Sequence, residues 1–321
     1  MQVVLQALLL TAVAIAVGNN MGVIAGPAAG SRILRRTTIS ALAIAGLSLG
    51  YLLEGWKFLG GVSLPRNAIE ASFTLAIIIL VMLTVSGFVT SITQVFVGIY
   101  IGYLLTYGFE ATSEILKILG FWCVTFLASV IVAFLFVKLI ASRKNGIISS
   151  LLALKLASIV MVFITAYTLG ANTIGFVVAF AGQSTGDLLT VALTISGIIV
   201  GVLVIQGRHG VTKLGSGFYG LRYTSSVAPY VSTLILTEIG TQFSIPLPMS
   251  ISIFSGMLGT ALAMRLRLIS RRRVATYIML SWVLPLILSI VLSYITFKVL
   301  YLLISFTEYV PGLPVFFQNG F

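Results

Sequence analysis

Residues 119–138 read LGFWCVTFLASVIVAFLFVK, and residues 279–298 read MLSWVLPLILSIVLSYITFK. Each run carries one charge, at its last position, Lys138 or Lys298. A helix of about 20 apolar residues crosses the ~30 Å hydrocarbon core of a bilayer. The two runs also match each other: Trp122 and Lys138 recur as Trp282 and Lys298 at the same separation. These forty residues therefore carry two readings, a helical membrane span and a duplication.

The rest of the chain extends both. Stretches 71–85, 147–169 and 188–205 are equally long and nearly free of charge. Over all 321 residues the hydrophobic share is 59% and the charged share 8%, against about 25% charged in an ordinary soluble domain. The mean hydropathy is +1.15. So few charges cannot cover a 34.3 kDa globule in water. A soluble enzyme, a disordered chain and a coiled coil are excluded. The short alternating segments of a β-barrel are absent. The fold class is an all-α polytopic membrane protein.

Two further matches keep the order of the first. VGNNMG (17–22) pairs with GANTIG (170–175), aligning Asn19 with Asn172, Asn20 with Thr173 and Gly22 with Gly175. Ser91-Ile92-Thr93 pairs with Ser250-Ile251-Ser252. The offsets are all about 150 to 160 residues, so the chain divides into two repeats, 1–146 and 147–321. About ten spans are expected: 1–30, 37–54, 71–87, 89–105, 114–138, 147–183, 188–206, 223–240, 248–264 and 274–297. Residues 1–30 lack a basic n-region and stay apolar past Gly18, so they read as a first span and not a leader. The long segments 1–30 and 147–183, interrupted by Gly and Asn, are expected to be broken helices.

Loop charges orient the spans. The net charge is +12, but the basic residues cluster between apolar runs, which speaks against nucleic acid as a partner. Loops 31–36, 138–146, 207–222 and 265–273 hold fourteen Lys and Arg, and the opposite side holds four. The basic side is cytoplasmic by the positive-inside rule, which puts both termini outside. Loop 31–36 is basic, while its counterpart at 184–187 is not; loop 265–273 is basic, while its counterpart at 106–113 is not. The second repeat is thus expected to be inverted, with broken or re-entrant helices, an architecture of secondary transporters.

Catalytic chemistry is not in view. Glu54, Asp187 and Glu238 fall at span ends, and Lys155 lies two turns inside one. The single Cys123 and single His209 support neither a disulfide nor a metal site. The polar signals are neutral. Asn19, Asn20, Asn172 and Thr173 sit among glycines, either as interhelical hydrogen-bond glue or as part of a cavity lining. Ser91, Thr93, Gln94, Ser250 and Ser252 stand where spans begin, after Gly87 and Pro248. There they are either plain caps or, with the free N–H groups and partial positive charge of a helix N-terminus, an oxyanion site needing no Arg or Lys.

At these residues the chain resembles the inorganic phosphate transporter (PiT) family, which includes related sulfate permeases. That family carries a GANDxANAxGPAxGS-like motif and a G-x-P-V-S-T-[TS]-[HQ] motif in each repeat. Here 17–31 read VGNNMGVIAGPAAGS, 170–175 read GANTIG, 87–94 read GFVTSITQ and 248–253 read PMSISI. The departures are specific. Asn20 and Thr173 stand at the family's two Asp positions, Val23 and Phe176 at its second Asn, and Ile253 at the His or Gln of the second copy. Leu47 and Ile198 stand where the family has a Glu three residues before a glycine.

The resemblance implies secondary active transport of inorganic phosphate by alternating access, with sulfate or another oxyanion, an anion channel or a non-transporting homologue as the alternatives. Substrate contact is expected at Ser91, Thr93, Gln94, Ser250, Ser252, Asn19, Asn20, Asn172 and Thr173, with Gly22, Gly87 and Gly175 as hinges. No enzyme activity and no cofactor are expected. The coupling ion is left between H⁺ and Na⁺, and Na⁺ coupling of the family type is expected to be weakened, because the family's carboxylates are gone. The partners are phosphate or sulfate, the lipid bilayer and, as a candidate, a second copy of the chain as a homodimer.

Overall fold

The structure is a computed structural model that describes residues 2–31, 33–59, 64–86, 90–108, 113–141, 147–183, 186–205, 223–265, 276 and 279–309. Gly87, His209 and most of the basic loop residues lie outside the described residues. Among those described there is no strand. In chain order the helices are α1 (Gln2–Gly30), α2 (Arg36–Glu54), α3 (Arg66–Val85), α4 (Ile92–Thr106), α5 (Ser113–Ala141), α6 (Ile147–Leu169), α7 (Gly175–Phe180) and α8 (Leu188–Val200), followed by three more. These are α9 (Tyr223–Gln242), α10 (Met249–Ala263) and α11 (Leu284–Tyr309). Wider π turns join α6 to α7 (Gly170–Ile174), extend α8 (Gly201–Ile205) and open α11 (Met279–Val283).

Local chemistry sets several ends. Pro65 and Pro248 stand just before α3 and α10, where a missing N–H is harmless. Asp187 caps α8 by accepting from the Thr190 N–H. Gly182, at φ +65°, stops α7 in the left-handed region open to glycine. Ser244, at φ 55°, ends α9, and Pro246 and Pro248 then keep the chain extended up to α10.

Among the described residues, seven helical segments are long and apolar enough to cross a membrane. Two more apolar helices, α4 and α10, have 15 residues each, which spans about 22 Å and falls short of a bilayer core. Both are buried almost all round. The hydroxyl-rich α9 lies inside as well, its Ser232, Thr233 and Thr241 bonding back to carbonyls of their own helix. Helices α5 and α11 form the periphery. Leu127, Ile131, Leu135 and Leu139 stand exposed along one, and Ile287, Val291, Ile295 and Val299 along the other. An exposed apolar stripe at helical spacing suits lipid and not water.

The expected breaks are elsewhere than the sequence suggested. Helix α1 runs unbroken through Gly18, Asn19, Asn20 and Gly22, and 147–180 is loosened only by its π turn. Small residues with a neighbouring helix close by do not interrupt a helix; they let it approach. The true discontinuities precede Ile92 and Met249. Gly22 lies within the continuous α1, and a Cβ on Gly175 would come within 2.6 Å of the Gly55 Cα.

Close helix crossings hold the bundle. Helix α2 packs on α6, and α1 on α8. A Cβ on Gly46 would lie 2.5 Å from the Phe163 carbonyl oxygen, and one on Gly50 would strike the Tyr167 carbonyl. In the other pair, a Cβ on Gly197 would lie 2.9 Å from the Leu10 carbonyl oxygen and one on Gly201 2.5 Å from that of Ala14. Likewise α4 lies against α11, and α10 against α5.

Candidate functional site

The two short helices begin inside the protein. Thr90 and the N-cap Ser91 lead extended into α4, and Ile92, Thr93 and Gln94 form its first turn, all buried. Pro246, Leu247 and Pro248 lead into α10, whose first turn holds Ser250, Ile251 and Ser252, also buried. Neither N-cap residue caps its helix with a side-chain hydrogen bond. The first-turn N–H groups of a helix have no partner within it and carry its positive end.

Asparagines on the long helices hold these entries in place. The Asn172 amide sits in the π turn of 170–174 and is fully buried. Its Nδ2 donates to Thr241 Oγ1 and to the Ile245 carbonyl, each at 3.1 Å, and its Oδ1 accepts from the Leu247 N–H at 2.8 Å. Asn19 plays the corresponding part, its Nδ2 donating to the Thr90 carbonyl. Each is an amide on a long helix gripping the backbone that enters a short one, α4 or α10. Asn20 turns inward on its own helix and donates to the Ala16 carbonyl at 2.9 Å. Thr173 is buried beside Asn172.

The tryptophans add a second set of ties. Trp122 Nε1 donates to the Pro246 carbonyl at 2.8 Å, pinning the entry to α10. The Trp282 carbonyl accepts from Gln94 Nε2 at 3.1 Å, so it touches the first turn of α4. The Trp282 ring meets Phe254 of α10 edge-on, with centroids 5.1 Å apart, and Phe126 of α5 at 5.5 Å. Phe254 lies one helical turn beyond Ser250. Trp282 thus bridges the tips of α4 and α10. Read along the chain it is a repeat marker only; its contacts with residues far away in sequence make it part of the site.

Of the nine expected contact residues, Ser91 and Thr173 are buried and the other seven sort into groups. Ser252 Oγ is paired with Ser129 Oγ at 2.8 Å. Asn19, Asn20 and Asn172 commit their amide nitrogens to backbone. Thr93 Oγ1, Gln94 Oε1 and Ser250 Oγ are among fourteen buried side-chain atoms with no hydrogen-bond partner, and so are Thr90 Oγ1 and Trp282 Nε1 beside them; others, such as Thr165 Oγ1 and Thr194 Oγ1, lie on other helices. Native interiors leave few such groups. Five of them lie on the two helix tips and on the tryptophan that touches both.

The site is electrically neutral. Every described buried polar side chain outside the tyrosines is Asn, Gln, Ser, Thr or Trp. Among the described residues no group of three His, Cys, Asp or Glu could hold a metal. Leu47 and Ile198, which stand where the resemblance implies a Glu, are fully buried apolar contacts. Carboxylates keep to the edges. Glu54 takes Lys57 Nζ at 2.6 Å and the Tyr167 hydroxyl at 2.7 Å, linking the end of α2 to α6. Lys155 is exposed on α6.

No family model matches the chain, and no curated protein matches it by sequence. A solved structure described as "The sodium-dependent phosphate transporter" matches it with a TM-score of 0.76, covering 94% of this chain and 98% of that one at 15% identity. The shared feature at that identity is the fold, and it is the fold that the sequence resemblance implied.

Proposed function

We propose that this protein is a secondary active carrier of inorganic phosphate that works by alternating access. One observation carries the reading: the first turns of two short buried helices carry unpaired, uncharged polar groups, and Trp282 touches both helices. Donors fixed in a dry site bind an oxyanion without a formal positive charge. The fold it shares with a sodium-dependent phosphate transporter agrees with this. The carrier is built from two inverted repeats, 1–146 and 147–321, with both termini outside. Supporting the repeats, the principal pairings come in exchanged couples: α4 on α11 with α10 on α5, and α2 on α6 with α1 on α8.

The neutral interior bears on coupling. A hard cation is held by oxygens with carboxylate charge among them, and none stands near the tips. Na⁺ coupling is therefore weakened, and phosphate moves with a proton or by exchange. The test is counterflow of radiolabelled phosphate into proteoliposomes with and without Na⁺. Saturable counterflow that persists without Na⁺ is expected, and the double variant Ser91→Ala, Ser250→Ala abolishes it. Strict Na⁺ dependence refutes the coupling statement. A non-saturating conductance, or no counterflow at all, refutes the carrier.

A further inference from the structure

The unpaired atoms at the helix tips are not equivalent. Hydroxyls of Thr93 and Ser250 can donate or accept, and the indole Nε1 of Trp282 only donates. Gln94 is the exception. The Trp282 carbonyl can only accept, so the amide nitrogen of Gln94 must face it, as it does at 3.1 Å. That leaves Gln94 Oε1, an atom that only accepts, buried without a donor on a residue 1% exposed. Trp282, its neighbour, is 8% exposed, and its N–H is likewise unpaired.

We propose that Gln94 Oε1 reads the protonation state of the bound anion, so that the site takes an oxyanion carrying at least one hydroxyl and turns away one that carries none. This rests on the carrier reading above. A bare oxyanion such as sulfate has only lone pairs to offer. Seated on the tips, it sets a negative oxygen against the Gln94 carbonyl oxygen and still leaves that acceptor without a donor. A phosphate at neutral pH retains one or two protons, and its P–OH donates to Gln94 Oε1. Its unprotonated oxygens accept from the Trp282 N–H and the hydroxyls. A site built to hydrogen-bond a particular hydroxyl rejects the analogue lacking it, because a buried polar group is then left unpaired. Gln94 is thus a specificity-determining residue, and Trp282 both orients its amide and supplies a donor of its own.

The experiment is equilibrium binding of radiolabelled phosphate to the purified full-length protein, displaced by arsenate, sulfate or molybdate at neutral pH. Arsenate keeps protons as phosphate does; sulfate and molybdate do not. In the wild type, arsenate displaces near the phosphate affinity, and sulfate and molybdate are about 10- to 100-fold weaker. Gln94→Met closes that gap by weakening phosphate and arsenate alone. Trp282→Phe, which removes the indole donor and keeps the backbone carbonyl, weakens all four anions and leaves their ratio unchanged. Sulfate binding as tightly as phosphate in the wild type overturns the inference and leaves an anion carrier standing. Equal weakening of all four by Gln94→Met overturns it too, since that is the mark of a structural role. Binding of none of the four overturns the carrier reading and this inference with it. The wild-type ranking and Trp282→Phe decide the matter even if Gln94→Met does not fold.

Discussion

Asn172 separates a residue that grips the site from one that touches the solute. Its side chain makes three hydrogen bonds, to Thr241 Oγ1, the Ile245 carbonyl and the Leu247 N–H, and is 0% exposed. Asn172→Ala removes all three. Thr241 keeps its own donation to the Thr237 carbonyl at 2.9 Å, so the heavier loss falls on the backbone entering α10. A buried donor left unpaired costs about 1–3 kcal/mol and each of the two other lost bonds about 1 kcal/mol, so the total is roughly 3–5 kcal/mol. At about 2–4 °C per kcal/mol, the melting temperature falls by roughly 6–20 °C. Asn172→Asp is worse: a carboxylate donates nothing and faces the Ile245 carbonyl oxygen, and an unpaired buried charge is far harder to accommodate than a small cavity. The assay is a thermal melt of each variant in detergent, with phosphate binding measured below the transition. Binding is expected to fall together with stability, because the tip of α10 loses its anchor. An Asn172→Ala protein with the wild-type melting temperature and no phosphate binding would refute this, and would make Asn172 a direct contact.

Two other substitutions probe the frame. Gly50→Ala drives a methyl group into the Tyr167 carbonyl, whose carbon would lie at 2.7 Å from it; forcing α2 from α6 costs about 1–3 kcal/mol. Gly120→Ala, with nothing within 4 Å of the new Cβ, is neutral or stabilising by about 0.5–1 kcal/mol, and paired thermal melts compare the two. At the start of α8, the Thr190 hydroxyl at 2.6 Å and the Thr190 N–H at 3.0 Å hold the Asp187 carboxyl below its ordinary pKa. Its stabilising effect is therefore full above the unfolded-chain value of about 3.9 and is lost as the pH falls through the lower folded value. Melting curves of wild type and Asp187→Ala differ at neutral pH and converge in acid; a constant difference would refute the cap.

Much of this was legible in the residues alone. The span expected at 188–206 is a helix from Leu188 through the π turn ending at Ile205, and that at 248–264 is Met249–Ala263. The match of 119–138 to 279–298 reappears as matching lipid-facing stripes. The errors share a cause. Gly18 and Gly22 read as helix breakers in α1, yet α1 is continuous; at Gly18 the Ile205 side chain and the Gly201 carbonyl take up the space that a side chain would have filled. Trp282 was noticed only as a marker, since Gln94, the residue that gives it a role, lies 188 positions away.

Transfer from water to lipid is a property of a short stretch of chain, and so are a proline's missing N–H and a carboxylate cap. Sequence alone therefore determined that this protein is a bundle of membrane helices, with uncharged polar residues where the helices at 92 and 249 begin. Which of those polar atoms are spent on the protein and which are left over was decided only by tertiary structure. Asn172 finds its backbone partner 73 residues on, and Ser252 finds Ser129 across 123 residues. A hydrogen bond is satisfied by whatever the fold brings to within 3 Å or so, and no local pattern can say what that is.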